Sequence, residues 1–108
     1  MNEYIPDGWS IIHLSVEDEY FVFGSWSGSY PVGASWRVSS GIKSIEYHDG
    51  VYHVFGYSGS VYHLSEHGEN RHSAYALGVL NFILNKHEKD DARCVTMKHA
   101  IEKFGAVA

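Results

Sequence analysis

The stretch VYHVFGYSGSVYHL, residues 51–64, places two short aromatic and β-branched runs on either side of a Ser58-Gly59 turn. Aromatic and valine side chains suit a pleated surface, and Ser-Gly lets the backbone reach positive φ, so the stretch reads as a β-hairpin. Just before it, Asp49-Gly50 is the strongest turn signal in the chain, a type I′ pair between alternating residues. A two-residue turn there fixes the register of the preceding strand: His48 faces Val51, Tyr47 faces Tyr52, Glu46 faces His53 and Ile45 faces Val54. The hairpin also has an echo. Val22-Phe23-Gly24-Ser25-Trp26-Ser27-Gly28-Ser29-Tyr30 repeats the order of Val54-Phe55-Gly56-Tyr57-Ser58-Gly59-Ser60-Val61-Tyr62 at an offset of about 32 residues, which predicts two related strand-turn units packed together.

Working outward, residues 1–8 read as a lead-in ending in the turn Pro6-Asp7-Gly8, and strands are expected over residues 9–15, 20–25, 34–39 and 42–48. Gly41 marks a bulge or bend, and Trp36 centres its strand and is expected in the core. Residues 26–33, WSGSYPVG, have loop chemistry. Beyond the polar run 66–72, Ser73 caps a helix reaching about residue 87, on which Ala76, Leu77, Leu80, Ile83 and Leu84 recur at helical spacing. A second helix is expected over residues 91–104, with Cys94, Met97, Ile101 and Phe104 as its apolar stripe and Gly105 just past its end. The fold class is therefore α+β: one domain, 1–108, with a sheet half (1–65) and a helical half (66–108). Its antiparallel sheet has about five strands, followed by two C-terminal helices packed on one face.

Composition narrows the class. The 108 residues are 44% hydrophobic and 15% aromatic, enough for a core without staples, and the lone Cys94 permits no internal disulfide. With no signal-type or membrane-length apolar run and no Asn-x-Ser/Thr acceptor, a cytoplasmic protein is expected. The net charge is −5, and residues 1–65 carry all of it: Glu3, Asp7, Glu17, Asp18, Glu19, Glu46 and Asp49 stand against Arg37 and Lys43, while residues 66–108 balance. Such a half repels nucleic acid and attracts basic protein surfaces.

Trp26 and Tyr30, large rings on a Gly/Ser loop, are the leading candidates for binding anchors. Glu17, Asp18 and Glu19, with Glu46 and Asp49, are expected to form one acidic end of the sheet at its hairpin tips. Eight histidines (His13, His48, His53, His63, His67, His72, His87, His99) raise the question of a metal site, and His63-x3-His67-x4-His72 brings three around one turn. No zinc template matches that spacing, so strand-face and surface histidines are the favoured reading and neither metal nor cofactor is expected. Glu46 opposite His53 is an acid-base pair without a nucleophile beside it, and reads as a structural cross-strand pair. Neither Gly56-Tyr57-Ser58-Gly59-Ser60 nor Gly24-Ser25-Trp26-Ser27-Gly28 is a nucleophile elbow, and phosphate-cradling patterns are absent. No catalytic residue is assigned. Cys94 is expected to be buried on its helix stripe.

Trp36-Arg37-Val38-Ser39-Ser40-Gly41-Ile42, followed by Gly56-Tyr57-Ser58-Gly59-Ser60-Val61-Tyr62, resembles small phage or prophage-encoded proteins of uncharacterised function over residues 20–64. Many phage proteins of this size and acidity are inhibitors that bind host machinery, anti-CRISPR proteins among them. The resemblance therefore implies a non-enzymatic inhibitor in the bacterial cytoplasm. Its acidic, aromatic surface would dock on a basic, nucleic-acid-binding host protein, such as a CRISPR-Cas component, without touching nucleic acid or membrane. The alternatives are a histidine-rich metal-dependent hydrolase and a structural or assembly protein that forms a homodimer through the residue 94–104 stripe; the chain itself is expected as a monomer or a homodimer.

Overall fold

The computed structural model describes residues 2–27 and 35–105. In chain order these form β1 (Glu3–Tyr4), β2 (Gly8–Leu14), β3 (Glu19–Trp26), β4 (Ser35–Val38), β5 (Ile42–His48), β6 (Val51–Gly56), β7 (Val61–Ser65), α1 (Ala74–Lys86), β8 (Ala92–Val95) and α2 (Met97–Phe104). Left-handed φ among the described non-glycine residues falls only on Asp18, Asp49, Asn70 and Asp91. Their short polar side chains tolerate that region, and Asp18 and Asp49 lie in the turns that reverse the chain between paired strands.

The fold is α+β, as the sequence predicts, but the described strands number eight and form two sheets. Sheet I has the order β1-β7-β6-β5 and sheet II the order β4-β3-β2-β8. Each is an antiparallel three-stranded meander with one strand added at its edge: β1 runs parallel to β7, and β8 antiparallel to β2. The sequence echo falls on the central strands β3 and β6, whose Val22 and Val54 are buried in one shared core. Asp49-Gly50 sets the expected register, with His48, Tyr47, Glu46 and Ile45 opposite Val51, Tyr52, His53 and Val54. The expected irregularity at Gly41 lies next to it, as a register shift between Ile42 and Ser44.

The inner faces of the two sheets meet. Trp9, Ile11, Tyr20 and Val22 of sheet II pack against Ile42, Ile45, Val54, Tyr62 and Leu64 of sheet I, and Met97 and Ala100 of α2 complete the same core. On the outer face of sheet II, Ile12 and Phe23 pack against Ala76 and Leu80 of α1. The helices thus do not share a sheet face: α1 covers sheet II from outside, while α2 closes the space between the sheets. No helix among the described residues is long and apolar enough to cross a membrane.

Three local expectations are corrected. The helix expected over 91–104 is shorter, because Asp91 turns into left-handed backbone and residues 92–95 pair along β2, with Ile12 opposite Cys94. Thr96 then caps α2, its hydroxyl accepting the His99 N–H at 3.1 Å. The free edge of β2 offers a backbone partner that helical periodicity does not register. Cys94 consequently lies exposed on β8 rather than buried on a helix. Trp36 is 41% exposed rather than core, because β4 is the edge strand of its sheet and the ring covers Phe23 from outside.

Two glycines give opposite predictions. A Cβ at Gly8 would stand 1.6 Å from the Arg71 carbonyl oxygen, whereas one at Gly78 would meet nothing within 4 Å. Gly8→Ala is expected to cost about 3 kcal/mol or more. Gly78→Ala in mid-helix is expected to add roughly 0.5–1 kcal/mol. Urea unfolding followed by circular dichroism measures both.

Candidate functional site

Helix α1 is apolar nearly all round. Ser73 starts it, its hydroxyl accepting the Ala76 N–H at 3.2 Å, and from Ala74 to Lys86 only Asn81, Asn85 and Lys86 are polar. Ala76 and Leu80 reach the core, with Val79, Ile83 and Leu84 packed beside them. That leaves Tyr75, Leu77 and Phe82 on the solvent side, 56%, 47% and 66% exposed. Trp36 stands next to this helix with its ring stacked on Phe23 at 6.0 Å and 17°. Together Trp36, Ala74, Tyr75, Gly78, Val79 and Phe82 line a shallow apolar groove of about 560 Å³. Gly78 leaves its middle open, and among the described residues β4 beside it pairs with β3 alone. A helix with this composition normally has its outer face covered. Rings in an open groove beside a free strand edge are the chemistry of a protein interface.

The residues singled out from the sequence are dispersed. Trp26 ends β3 rather than sitting in a loop; half-buried, it meets Tyr4 edge-on at 6.5 Å and donates its indole N–H to the Ile5 carbonyl at 3.0 Å. It seals one end of the interface between the sheets, with its polar atom satisfied. Tyr30 lies outside the described residues. Glu17, Asp18 and Glu19 sit at the β2–β3 turn, close to Gly41 and Tyr57, where β5 begins and β6 ends. Glu46 and Asp49 lie toward the opposite end of β5, so the five acids do not form one acidic end.

Nor is the acidic half left uncompensated in space. Lys103 of α2 pairs with Asp18, and His13 reaches the other carboxylate oxygen at 2.9 Å. Lys103, then His13, hold the Asp18 carboxyl below its usual range, while the Glu17 carboxyl beside Glu19 pushes that acid up. A cleft of about 310 Å³ runs between Asp18, Glu19, Tyr20, Tyr57, Lys103 and Phe104. Next to it His13 stacks on Tyr20 at 4.1 Å, and the Tyr20 hydroxyl meets His99 Nε2 at 3.0 Å.

The other histidines occupy separate places. His63 is on β7, His67 is exposed in the following turn, and His72 lies between buried serines. Among the described residues no three metal-ligating side chains surround one point. Glu46 does stand opposite His53, but the His53 ring bonds to His63, and burial first, then the His63 and His48 rings, lower its proton affinity. Ser10, fully buried, donates to Asn70 Oδ1 at 2.6 Å and so accepts from His72 Nε2–H at 2.7 Å. His72 Nδ1 then accepts from the Ser25 hydroxyl, also at 2.7 Å. With its proton given to Asn70 and no access to solvent, Ser10 is no nucleophile; the cluster is a satisfied polar core.

Helical spacing in the sequence picks out a single apolar stripe and passes over the groove residues Tyr75 and Phe82. The signal was the near absence of polar residues on any face of residues 74–86.

Burial holds the His72 imidazole below its usual 6.5. The folded state then binds this proton less readily than the unfolded chain. Its contribution to stability is complete above the unfolded pKa and is lost as the pH falls below that, toward the lower folded value. The urea midpoint should therefore drop between about pH 7.5 and about pH 5.5, and drop less in His72→Asn; equal drops in the two proteins would contradict this assignment. No family model, curated protein sequence or solved structure matches the chain.

Proposed function

We propose that this chain acts by binding a basic protein and carries out no reaction, its partner seating an apolar segment in the groove between Trp36 and α1. The observation that carries the reading is the solvent side of α1, where Tyr75 and Phe82 stand exposed beside Trp36 on a helix with no carboxylate. Aromatic rings concentrated in one open groove supply most of the energy of a protein contact, and a rim of charge adds steering.

Charge selects the occupant. Two copies of this chain, each at −5, repel one another, whereas a basic surface is drawn toward it. Glu17, Glu19, Glu46 and Asp49, spread over both ends of the sheets, then act on the approach and not in the seat. Within this reading the chain is a phage-type inhibitor of a nucleic-acid-handling host protein, of which anti-CRISPR proteins are one kind, as the resemblance over residues 20–64 implies.

The test is capture from a bacterial lysate by the native chain and by a Trp36→Ala, Phe82→Ala double variant. The expected result is a basic protein held by the native chain, released as salt rises, and lost from the double variant. Retention by the double variant, or an acidic partner indifferent to salt, would overturn the proposal. So would sedimentation showing a homodimer that Phe82→Asp dissociates, because a second copy would then fill the groove.

A further inference from the structure

The outer face of sheet I carries a row of imidazoles and carboxylates reaching across all four of its strands. His53 on β6 is in register with Glu46 on β5 and with His63 on β7. Residues directly opposite on neighbouring strands share a face, and the inner face here belongs to Ile45, Val54, Tyr62 and Leu64. The row therefore faces outward. The Nδ1 atoms of His53 and His63 are 2.7 Å apart, with the rings at 78°. On its far side, His63 Nε2 lies 2.7 Å from Glu3 Oε1 on β1.

With both rings neutral, these distances assign the protons. An ionised carboxylate only accepts, so Glu3 holds the His63 proton on Nε2 and leaves a bare lone pair on Nδ1. The contact between the rings is then His53 Nδ1–H donating to His63 Nδ1. Two ring nitrogens aimed at one proton, one of them set by a carboxylate behind it, form the arrangement in which a histidine is oriented toward a metal.

We propose that His53 and His63 bind a divalent transition cation of the zinc, nickel or copper class, which takes the place of the proton between them. Metal–nitrogen bonds of the usual length in tetrahedral geometry put the two nitrogens roughly 3.3 Å apart, a widening of about 0.6 Å that ring rotation supplies. The His53 proton moves to its own Nε2, so both imidazoles stay neutral and the site keeps the charge of the cation. Among the described residues no third ligand is already in place. Glu46, directly opposite His53 and 3.4 Å from His48, takes the next position, and water takes the rest. Glu3 is a positioning residue: it fixes the His63 tautomer without touching the cation.

Titration of untagged protein with ZnCl₂ and NiCl₂, followed by calorimetry, tests this. The expected result is one cation per chain, with binding lost in His53→Asn and in His63→Asn and unchanged in His67→Asn and His87→Asn. Glu3→Gln should weaken it about 10- to 100-fold. No saturable binding, or binding that survives in both strand variants, would overturn the proposal. Imidazole ¹H–¹⁵N spectra of the native chain give a readout independent of any variant's folding. Zinc should convert His53 to the Nε2–H form and shift both rings, and shifts confined to other histidines would overturn the assignment.

Discussion

Trp9 is the point at which the two sheets are joined. It belongs to β2 in sheet II, is fully buried, and donates its indole N–H to the Ser65 carbonyl at the end of β7 in sheet I, at 2.7 Å. Its ring meets Tyr52 edge-on at 6.1 Å. The connection leaving sheet I then wraps the same residue: a Cβ on Gly68 would come within 3.1 Å of the indole, and the Asn70 N–H bonds to the Trp9 carbonyl at 2.6 Å. A large apolar ring with one directed donor both fills the space between the sheets and fixes their relative placement, which apolar area alone would not do. With both inner faces committed to this joint, the outer faces are what the two sheets present to the rest of the molecule and to solvent. Sheet I presents histidines and carboxylates there, and sheet II is covered by a helix whose own outer side is apolar.

Local signals in the sequence translated well because they are settled within a few residues. Asp49 and Gly50 dictate a turn whose geometry admits few registers, and the register found is the one they imply. Ser73 and Gly105 end helices for reasons of backbone hydrogen bonding that need no tertiary partner. The echo between residues 22–30 and 54–62 corresponds in its opening residues, since Val22 and Val54 are buried in the same core; it diverges at Ser25-Trp26, which continue a strand where Tyr57-Ser58 turn, and residues 28–30 lie outside the described residues.

What escaped depends on pairing over long distances. Residues 92–95 have a composition that continues a helical stripe, and only the edge of β2, about 80 residues away, makes them a strand. Lys103 neutralises Asp18 across a separation of 85 residues, so a charge imbalance counted along the chain overstated the one in space. The Ser10–His72–Ser25 cluster is likewise assembled from three distant segments. The His53–His63 pair is different, because the hairpin on which the fold was first read already contains both residues. A two-residue turn at Ser58-Gly59 would set His53 against Leu64; the loop instead has three residues, 57–59, closed by the Gly56 N–H on the Ser60 carbonyl at 2.9 Å, and that extra residue places the two histidines opposite each other.

The two outer faces lie on opposite sides of the joined sheets, so the apolar groove and the imidazole row can work independently. The central claim is that the side of α1 away from the core is where a partner sits. Hydrogen–deuterium exchange of the chain, alone and with its captured partner, addresses this most directly. The account predicts that added protection falls on β4 and the first two turns of α1 and leaves the β5–β6 turn unchanged. Protection gained at Asp49-Gly50 and along sheet I, with α1 unaffected, would contradict it.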